Sequence, residues 1–315
     1  MILFLSCIAA LTFGSAQMDL QSLIGGILKK DGFATESTIL YSLRLPRLLG
    51  AMLAGIGLSC SGVLLQAVTG NALASPNIIG VNAGAGFTVI LLMTFFPAAT
   101  ALFPFGAFTG AFLTTLFILF LSSKISFSKS TVILAGVAVN ALLNAGISFV
   151  SYFDGDILAL YRHFSVGGLS GVTSSQLKIP AIIIFTALGL SLILSSRIDT
   201  LCLGDSLSLS LGINVKALRF VCLILASCLA GSVVTFAGLL GFVGLVVPHL
   251  VKKLSGGNTF FLLVNSSLLG ASLVLLSDLC GRTLLSPTEI PVGIIMSFIG
   301  APFLFYLLAR RKNHA

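Results

Sequence analysis

The longest uncharged stretch of the chain constrains its fold more than any other feature. No Asp, Glu, Lys or Arg occurs between Arg47 and Lys124, and one polar, turn-forming segment, 66–76, interrupts this stretch. A second uncharged stretch runs between Arg219 and Lys252. A helix needs about 20 predominantly apolar residues to cross the hydrocarbon core of a bilayer. Stretches of this length therefore predict several consecutive membrane-spanning segments.

The overall composition excludes an ordinary soluble protein. The 315 residues are 57% hydrophobic and only 8% charged, whereas soluble domains carry about 25% charged residues. Lipid offers the backbone no hydrogen-bonding partner, so only helices and closed barrels span it. The apolar stretches are continuous and do not alternate with period two, which favours helices.

We therefore predict an all-α integral membrane protein, with one transmembrane domain over residues 1–315. The uncharged windows give about ten spans: 2–18, 47–66, 77–96, 104–122, 130–152, 178–196, 215–235, 238–252, 260–279 and 290–309. The first resembles a secretory signal peptide but lacks its basic start, so we expect an uncleaved helix. A loop over 154–176 is expected to hold a short surface helix. Small residues at helical spacing predict close helix packing, namely Gly55, Ser59, Gly62, Gly106 and Gly110.

The charged residues indicate how the spans are oriented. An even number of spans places both termini on one side of the membrane. The tail carries Arg310, Arg311 and Lys312, and basic residues collect on the cytoplasmic side, so we expect both termini in the cytoplasm. This orientation puts the whole formal net charge of +8 on the inner side and leaves the outer side balanced.

The sequence lacks the usual motifs for energy coupling or catalysis. It has no G-x-x-x-x-G-K-[ST] phosphate loop, and its histidines and cysteines form no metal-ligand pattern. No acidic or basic residue falls in the middle of a predicted span, although ion-coupled carriers usually need one. We expect no catalytic residue, no metal site and no cofactor in this chain, which leaves a pore driven by a partner. An ion-coupled secondary transporter and a purely structural membrane scaffold remain alternatives.

Several segments, in a fixed order among the spans, resemble one family. The chain is similar to the FecCD type, the permease subunits of binding-protein-dependent ABC importers for iron–siderophores, haem and cobalamin. The likeness extends from about Tyr41 to Arg310. It is carried by 44–47 (RLPR), 71–76 (NALASP), 203–205 (LGD), 211–213 (LGI), 241–249 (GFVGLVVPH), 278–282 (DLCGR), 291–294 (PVGI) and 300–302 (GAP).

The chain departs from the family pattern in two places. The family usually has Asn-Pro-Leu-Ala where this chain has Ala72 after Asn71, which loosens the expected turn. The family often has a Trp before the outer Gly pair, whereas this chain reads Phe164 to Gly168 and contains no Trp at all. These differences affect the turn and the outer vestibule and leave the fold unaffected.

The resemblance implies a set of partners and a location. It implies a type II ABC importer bundle in a bacterial cytoplasmic membrane, built with a second permease copy or a close homologue. Two cytoplasmic ATPase subunits would bind ATP and Mg²⁺, and an external substrate-binding protein would deliver a metal chelate. Lipid surrounds the bundle, and no nucleic acid is expected.

Three arginines are candidates for docking the binding protein. Arg44 and Arg47 precede the second span, and Arg282 follows the ninth, all on the expected outer side. Basic residues are unusual on the outer side of a membrane. On the sequence alone, either snorkelling to the headgroups or a local ion pair, such as Asp278 with Arg282 at i,i+4 spacing, explains them. The resemblance implies that the three arginines grip glutamates of the binding protein, because guanidinium and carboxylate pair in a bidentate way.

The inner loop over 197–214 is either an ordinary connector or a coupling element. The resemblance implies two short helices that sit in a cleft of the ATPase and transmit its closure. The candidate contacts are Gly204, Asp205, Ser208, Leu211 and Gly212.

A polar turn at the inner side is the candidate gate. The alternative is a plain turn between the second and third spans. The resemblance implies a constriction at the inner mouth of the pore, shared with the loop before the fifth span, because irregular backbone at membrane depth needs protein or water partners. Its candidate residues are Asn71, Leu73, Ser128 and Ser130.

Two amides on the fifth span are candidates for the pore lining. Asn140 and Asn144 are spaced i,i+4, so they share one face of a helix. An amide in lipid is unfavourable unless it is hydrogen-bonded. Interhelical hydrogen bonds are one explanation, and a polar stripe along a wide path for large chelates is the other.

Overall fold

The computed structural model of the protein describes residues 2–12, 34–125 and 129–312, and every regular element within these ranges is helical. A π-helix at Leu40–Arg44 separates the second and third α-helices. The α-helices are α1 (Ile2–Thr12), α2 (Ala34–Ile39), α3 (Leu45–Thr69), α4 (Val81–Phe95), α5 (Leu102–Ile125), α6 (Lys129–Phe153), α7 (Gly155–Val166), α8 (Ser174–Ile193), α9 (Ser195–Cys202), α10 (Asp205–Ser210), α11 (Val215–Ala237), α12 (Val243–Ser255), α13 (Thr259–Thr283) and α14 (Val292–Lys312).

The all-α membrane architecture is confirmed. Six helical stretches in the described ranges are long and apolar enough to cross a bilayer: Thr35–Thr69, Leu102–Lys124, Ser130–Phe153, Ser174–Ile193, Val215–Ala237 and Thr259–Thr283. Shorter apolar helices cover Leu3–Thr12, Val81–Phe95 and Val292–Leu307. Each of the ten predicted spans coincides with a helix, and the predicted surface helix in the loop after the fifth span is α7. The end of the first predicted span, 13–18, lies outside the described residues.

The predicted start of the eighth span, residue 238, was wrong, because five residues before α12 are not helical. Gly238 and Phe242 have φ angles of 67° and 65°, a left-handed conformation that a helix cannot continue through. The backbone here bonds to the end of α7: the amide of Leu239 donates to the Phe164 carbonyl at 3.1 Å, and that of Gly168 to Ala237 at 2.9 Å. Cross-helix bonds thus replace the helical ladder.

The predicted start of the third span, residue 77, was also too early. The segment 70–80 makes successive turns, in which the amide of Ala74 bonds to the Asn71 carbonyl at 3.0 Å and that of Ile78 to Ser75 at 2.9 Å. Gly80, with a φ angle of 80°, precedes the first residue of α4. Satisfied turn bonds make an irregular segment stable at this depth.

Helix α3 is the centre of the bundle, packed against α8, α11, α12 and α13. In its most apolar window 78% of the residues are buried, against 28% for α6 and α8, which lie at the periphery. The predicted close packing by small residues is confirmed on α3. A methyl group added to Gly55 would overlap the Gly270 carbonyl of α13, and one added to Gly62 would overlap the Gly244 carbonyl of α12.

The short helix α7 is fixed at its start and at its middle. Asp154 accepts hydrogen bonds from the amides of Asp156 and Ile157, at 2.9 and 3.1 Å, as an N-cap. Tyr161 is buried with its hydroxyl against Gly86 of α4. Burial raises the pKa of Tyr161 to about 12, so the phenol stays neutral.

We expect Gly62→Val to destabilise the bundle strongly. The added side chain meets the backbone of α12, which cannot rotate away as a side chain could, so the loss of unfolding free energy should exceed the ~1–3 kcal/mol typical of overpacking. The measurement is the apparent melting temperature of the purified protein in detergent. Gly189→Val is the matched control, since nothing lies within 4 Å of its added carbon. Equal melting temperatures would contradict the packing argument.

Candidate docking, coupling and pore sites

The carboxylate of Asp278 joins two of the predicted docking arginines. Arg47 of α3 contacts it through Nε, at 3.1 and 3.0 Å from the two oxygens, and through Nη2 at 2.9 Å. Arg282, one turn further along α13, brings Nε within 3.2 Å of Oδ2. The side chain of Asp278 is only 4% exposed. A buried carboxylate is stabilised when paired cations replace its lost hydration.

Glu289 completes this group from the segment between α13 and α14. Its Oε2 lies 2.8 Å from Arg47 Nη1, so Arg47 binds one carboxylate on each edge of its guanidinium. We call Arg47, Asp278, Arg282 and Glu289 the outer charge cluster. It ties α3, α13 and the loop before α14 together.

Arg44 and Arg282 also hold the end of α1. Arg44 Nη1 donates to the carbonyl oxygens of Leu11 and Thr12, and Arg282 Nη2 lies 3.3 Å from the Ala10 carbonyl. The last carbonyls of a helix have no partner within the helix and carry partial negative charge, so cations stabilise them. The π-helix at Leu40–Arg44 adds one residue to its turn, immediately before α3.

The structure thus brings the three docking candidates to one place. A cavity of about 330 Å³ is lined by Arg44, Arg47, Arg282, Glu289 and the loop 169–173. The local Asp278–Arg282 pair, one of the two explanations from the sequence, is confirmed. Docking of a partner on these arginines stays a prediction. The sequence analysis did not single out Glu289, and no local signal connects it to Arg47, because the two residues are 242 positions apart.

The inner loop is fastened to two long helices by carboxylates. Asp205, at the start of α10, places Oδ1 2.6 Å from Nη2 of the buried Arg219 of α11. Asp199 of α9 accepts from the amide and hydroxyl of Thr259, at 2.7 and 2.5 Å, at the start of α13. A displacement of α9 and α10 would therefore be transmitted to both α11 and α13.

The predicted coupling residues divide into structural and exposed ones. Ser208 is fully buried, and its hydroxyl donates to the carbonyls of Thr200 and Gly204, both at 2.8 Å, so it joins the two short helices rather than forming their surface. Gly204 and Gly212 have positive φ angles of 112° and 78°, at the two ends of α10. Leu211 and Asp205 are exposed. The sequence analysis missed three further exposed leucines of this loop: Leu203, Leu207 and Leu209.

The predicted gate turn, which has Ala72 where the family usually has proline, is held by side-chain hydrogen bonds. The side chain of Asn71 accepts from the amide of Leu73 at 3.0 Å, and the hydroxyl of Thr69 accepts from the amide of Asn71 at 3.3 Å. Such side-chain bonds replace a rigid proline in a turn. Ser130 lies exposed at the start of α6, and Ser128 lies outside the described residues. The gate itself stays a prediction.

The two candidate pore residues differ in their surroundings. Asn140 donates through Nδ2 to the Asn77 carbonyl at 2.6 Å, so its amide is hydrogen-bonded, although to the 70–80 turn and not to another helix as one explanation from the sequence had it. Asn144 is exposed on α6. Asn140 therefore fixes the 70–80 turn to α6, while Asn144 faces away from the bundle.

An open cavity of about 750 Å³ lies beside this turn. Polar groups of Asn77, Asn82, Ser165 and Ser297 line a largely apolar wall, together with the left-handed Phe242. One side is formed by α14, which presents Ile294, Phe298, Ala301, Pro302 and Phe305. Large apolar residues of α14 and α6 are exposed on the described chain. Two segments that carry the family resemblance, 291–294 and 300–302, contribute residues to this cavity.

We expect Asp278→Asn to lower the free energy of unfolding by about 3 kcal/mol, the usual cost of removing one partner from a buried ion pair. Asparagine retains the shape but leaves the Arg47 and Arg282 guanidinium groups without their shared counter-ion. Thermal unfolding in nanodiscs measures the effect. Asp156→Asn removes an exposed carboxylate near the start of α7 and should change stability by less than about 1 kcal/mol. Equal unfolding temperatures for the two variants would contradict the role of Asp278 as the shared counter-ion.

Comparison with known proteins agrees with this architecture. The family model described as the FecCD transport family matches residues 2–310. The Fe(3+)-citrate import system permease protein YfmE of Bacillus subtilis is 37% identical over 86% of this chain and 81% of its own length. The vitamin B12 import system permease protein BtuC of Vibrio cholerae is 34% identical over 89% and 84%. A solved chain assigned to a metal-chelate type ABC transporter, in an inward-facing conformation, superposes with a TM-score of 0.86 at 29% identity, covering 98% of this chain and 96% of its own.

Proposed function

Because the chain belongs to the FecCD transport family, we propose that it is the membrane-spanning permease of an ABC importer for an iron chelate or cobalamin. The observation that carries this proposal is the likeness to import permeases over more than four fifths of both chains. The multi-pass helical architecture agrees with it, since a pore for a large chelate needs several packed spans.

The energy source in this proposal is a pair of ATPase subunits on the cytoplasmic side. The sequence has no phosphate loop of its own, so ATP and Mg²⁺ would be bound by those subunits. The 197–214 loop is suited to contact them because it presents exposed leucines, and apolar surface of this kind marks interaction sites. Its two carboxylate links, Asp199 to Thr259 and Asp205 to Arg219, would carry ATPase closure into α13 and α11.

The second permease copy, or a close homologue, would cover the exposed faces of α6 and α14. The 750 Å³ cavity opens beside α14, so we place the translocation path there, with Asn144 at its border. The turn at Asn71 and Leu73 would narrow the inner end of this path, together with Ser128 and Ser130. A path with few charged groups suits a large chelate, because tight binding would slow its release.

The outer end would receive a substrate-binding protein through Arg44, Arg47 and Arg282. Three guanidinium groups surround the 330 Å³ cavity at this end, and acidic side chains are their natural partners. In this proposal the cavity lies on the outer side, and both chain termini lie on the cytoplasmic side of a bacterial inner membrane.

Uptake in reconstituted vesicles tests the proposal against an ion-coupled secondary transporter. The chain is co-purified with its ATPase and binding-protein partners, and uptake of ferric citrate, haem and cyanocobalamin is followed. We expect uptake of one chelate that requires internal ATP and the binding protein. Uptake that follows a proton or sodium gradient without the ATPase would overturn the proposal, as would vesicles that take up none of the three.

We expect the double variant Leu207→Ser, Leu211→Ser to weaken association with the ATPase by at least tenfold. Each leucine is more than half exposed in the chain alone, and burying one contributes about 2 kcal/mol, where 1.4 kcal/mol is a tenfold change. The readout is the amount of ATPase retained by the immobilised permease across a concentration series.

Leu284→Ser is the matched control for the leucine variant. Leu284 is 64% exposed just beyond α13, at the opposite end of the proposed orientation, so its substitution should leave ATPase retention unchanged. Equal losses for the two variants would contradict the role of the 197–214 loop.

A further inference from the structure

The two edges of the Arg47 guanidinium bind carboxylates of different accessibility. Asp278 holds Nε and Nη2 and is 4% exposed, whereas Glu289 holds Nη1 and is 30% exposed. Asp278 is also shared with Arg282. Glu289 lies between α13 and α14, on a segment outside any helix. The contact to Glu289 is therefore the more readily broken of the two.

We infer that Glu289 is a placeholder carboxylate, which occupies the edge of Arg47 that an acidic side chain of the external binding protein takes on docking. The inference rests on the proposed function. It adds that Glu289 competes with the binding protein for Arg47. Docking then exchanges one carboxylate for another at Nη1, while Asp278 keeps the guanidinium in place. Glu289 lowers the affinity for the partner by the strength of the contact that must first be broken.

The surroundings of Arg47 have room for this exchange. The 330 Å³ cavity is bounded by both Arg47 and Glu289, with Arg44 and Arg282 in the same wall. The guanidinium groups of Arg44 and Arg282 are directed to the α1 carbonyls and to Asp278, and neither contact involves Glu289. When Glu289 swings away, these contacts persist, and the cavity gains positive potential toward an approaching acidic surface.

The exchange also explains how the partly buried Arg47 can dock a partner. An arginine held only by a buried carboxylate would expose one unpaired edge in the free protein, and paired groups are favoured over unpaired ones at partly buried positions. A mobile internal carboxylate satisfies Arg47 in the absence of the partner. Affinity is thereby limited, which suits a partner that must leave after delivery.

Binding of the partner measures the effect of Glu289. The substrate-binding protein of this importer is titrated against the complete importer in nanodiscs, with wild type, Glu289→Gln and Asp156→Asn. We expect Glu289→Gln to tighten binding about fivefold, the magnitude of a partly exposed ion pair. Asp156→Asn removes one negative charge from the same side in the proposed orientation and should change binding by less than twofold.

The outcomes separate the inference from the proposed function. No binding to the wild-type importer would contradict the proposed function itself. Wild-type binding that Glu289→Gln leaves unchanged, or weakens, would overturn the placeholder role while leaving the importer intact. A melting temperature within a few degrees of wild type shows that the variant is folded.

Labelling of Arg47 gives a second readout that needs no partner. Phenylglyoxal modifies accessible guanidinium groups, and peptide mass spectrometry locates the product. We expect Glu289→Gln to raise the modification rate of Arg47 severalfold, since one edge is uncovered, and to leave that of Arg162, exposed on α7, unchanged. Equal Arg47 rates in wild type and variant would overturn the inference.

Discussion

Pairing of buried charge is the constraint on which the outer half of this structure depends. A lipid-solvated bundle cannot hydrate an arginine in its interior, so each guanidinium near the membrane must find a carboxylate or a carbonyl. Asp278 supplies that partner for two helices at once, through Arg47 and Arg282. Arg44 and Arg282 in turn supply α1 with donors for its last carbonyls. The cluster is thus structural first, and its proposed docking role uses only the edge that faces the cavity.

The inner half is organised by the same rule with fewer charges. Asp199 and Asp205 each bind a group at the start of a long helix, and Arg219 is buried behind the second of them. Between the two ends, small residues bring the helices close together, as where Gly55 and Gly62 of α3 lie against backbone carbonyls. The hydroxyl of Ser61 also donates to the Ala226 carbonyl of α11 at 2.7 Å. Rigid packing in the middle and polar links at both ends allow force at one end to move helices as units.

The sequence predicted the helices well because uncharged length is a direct physical requirement of the bilayer. It failed where apolar residues adopt irregular backbone: 238–242 reads as part of a span, although Gly238 and Phe242 have positive φ angles. The Asp278–Arg282 pair was predictable because i,i+4 spacing is local. The contact between Arg47 and Glu289 was not, since a long-range pair leaves no local pattern. The sequence also did not show that α10 buries Ser208 and exposes its leucines, because a helix of six residues is too short for its periodicity to be read.

The distance along the chain between the partners of the outer charge cluster has a consequence for biosynthesis. Arg47 precedes Asp278 by 231 residues, so the ribosome delivers the single cation of α3 to the membrane long before its counter-ion exists. Until α13 is inserted, that side chain must remain among lipid headgroups or water, where snorkelling is possible. The ion pair between Arg47 and Asp278 therefore forms late in biosynthesis. It joins a helix that is inserted early, α3, to one that is inserted late, α13.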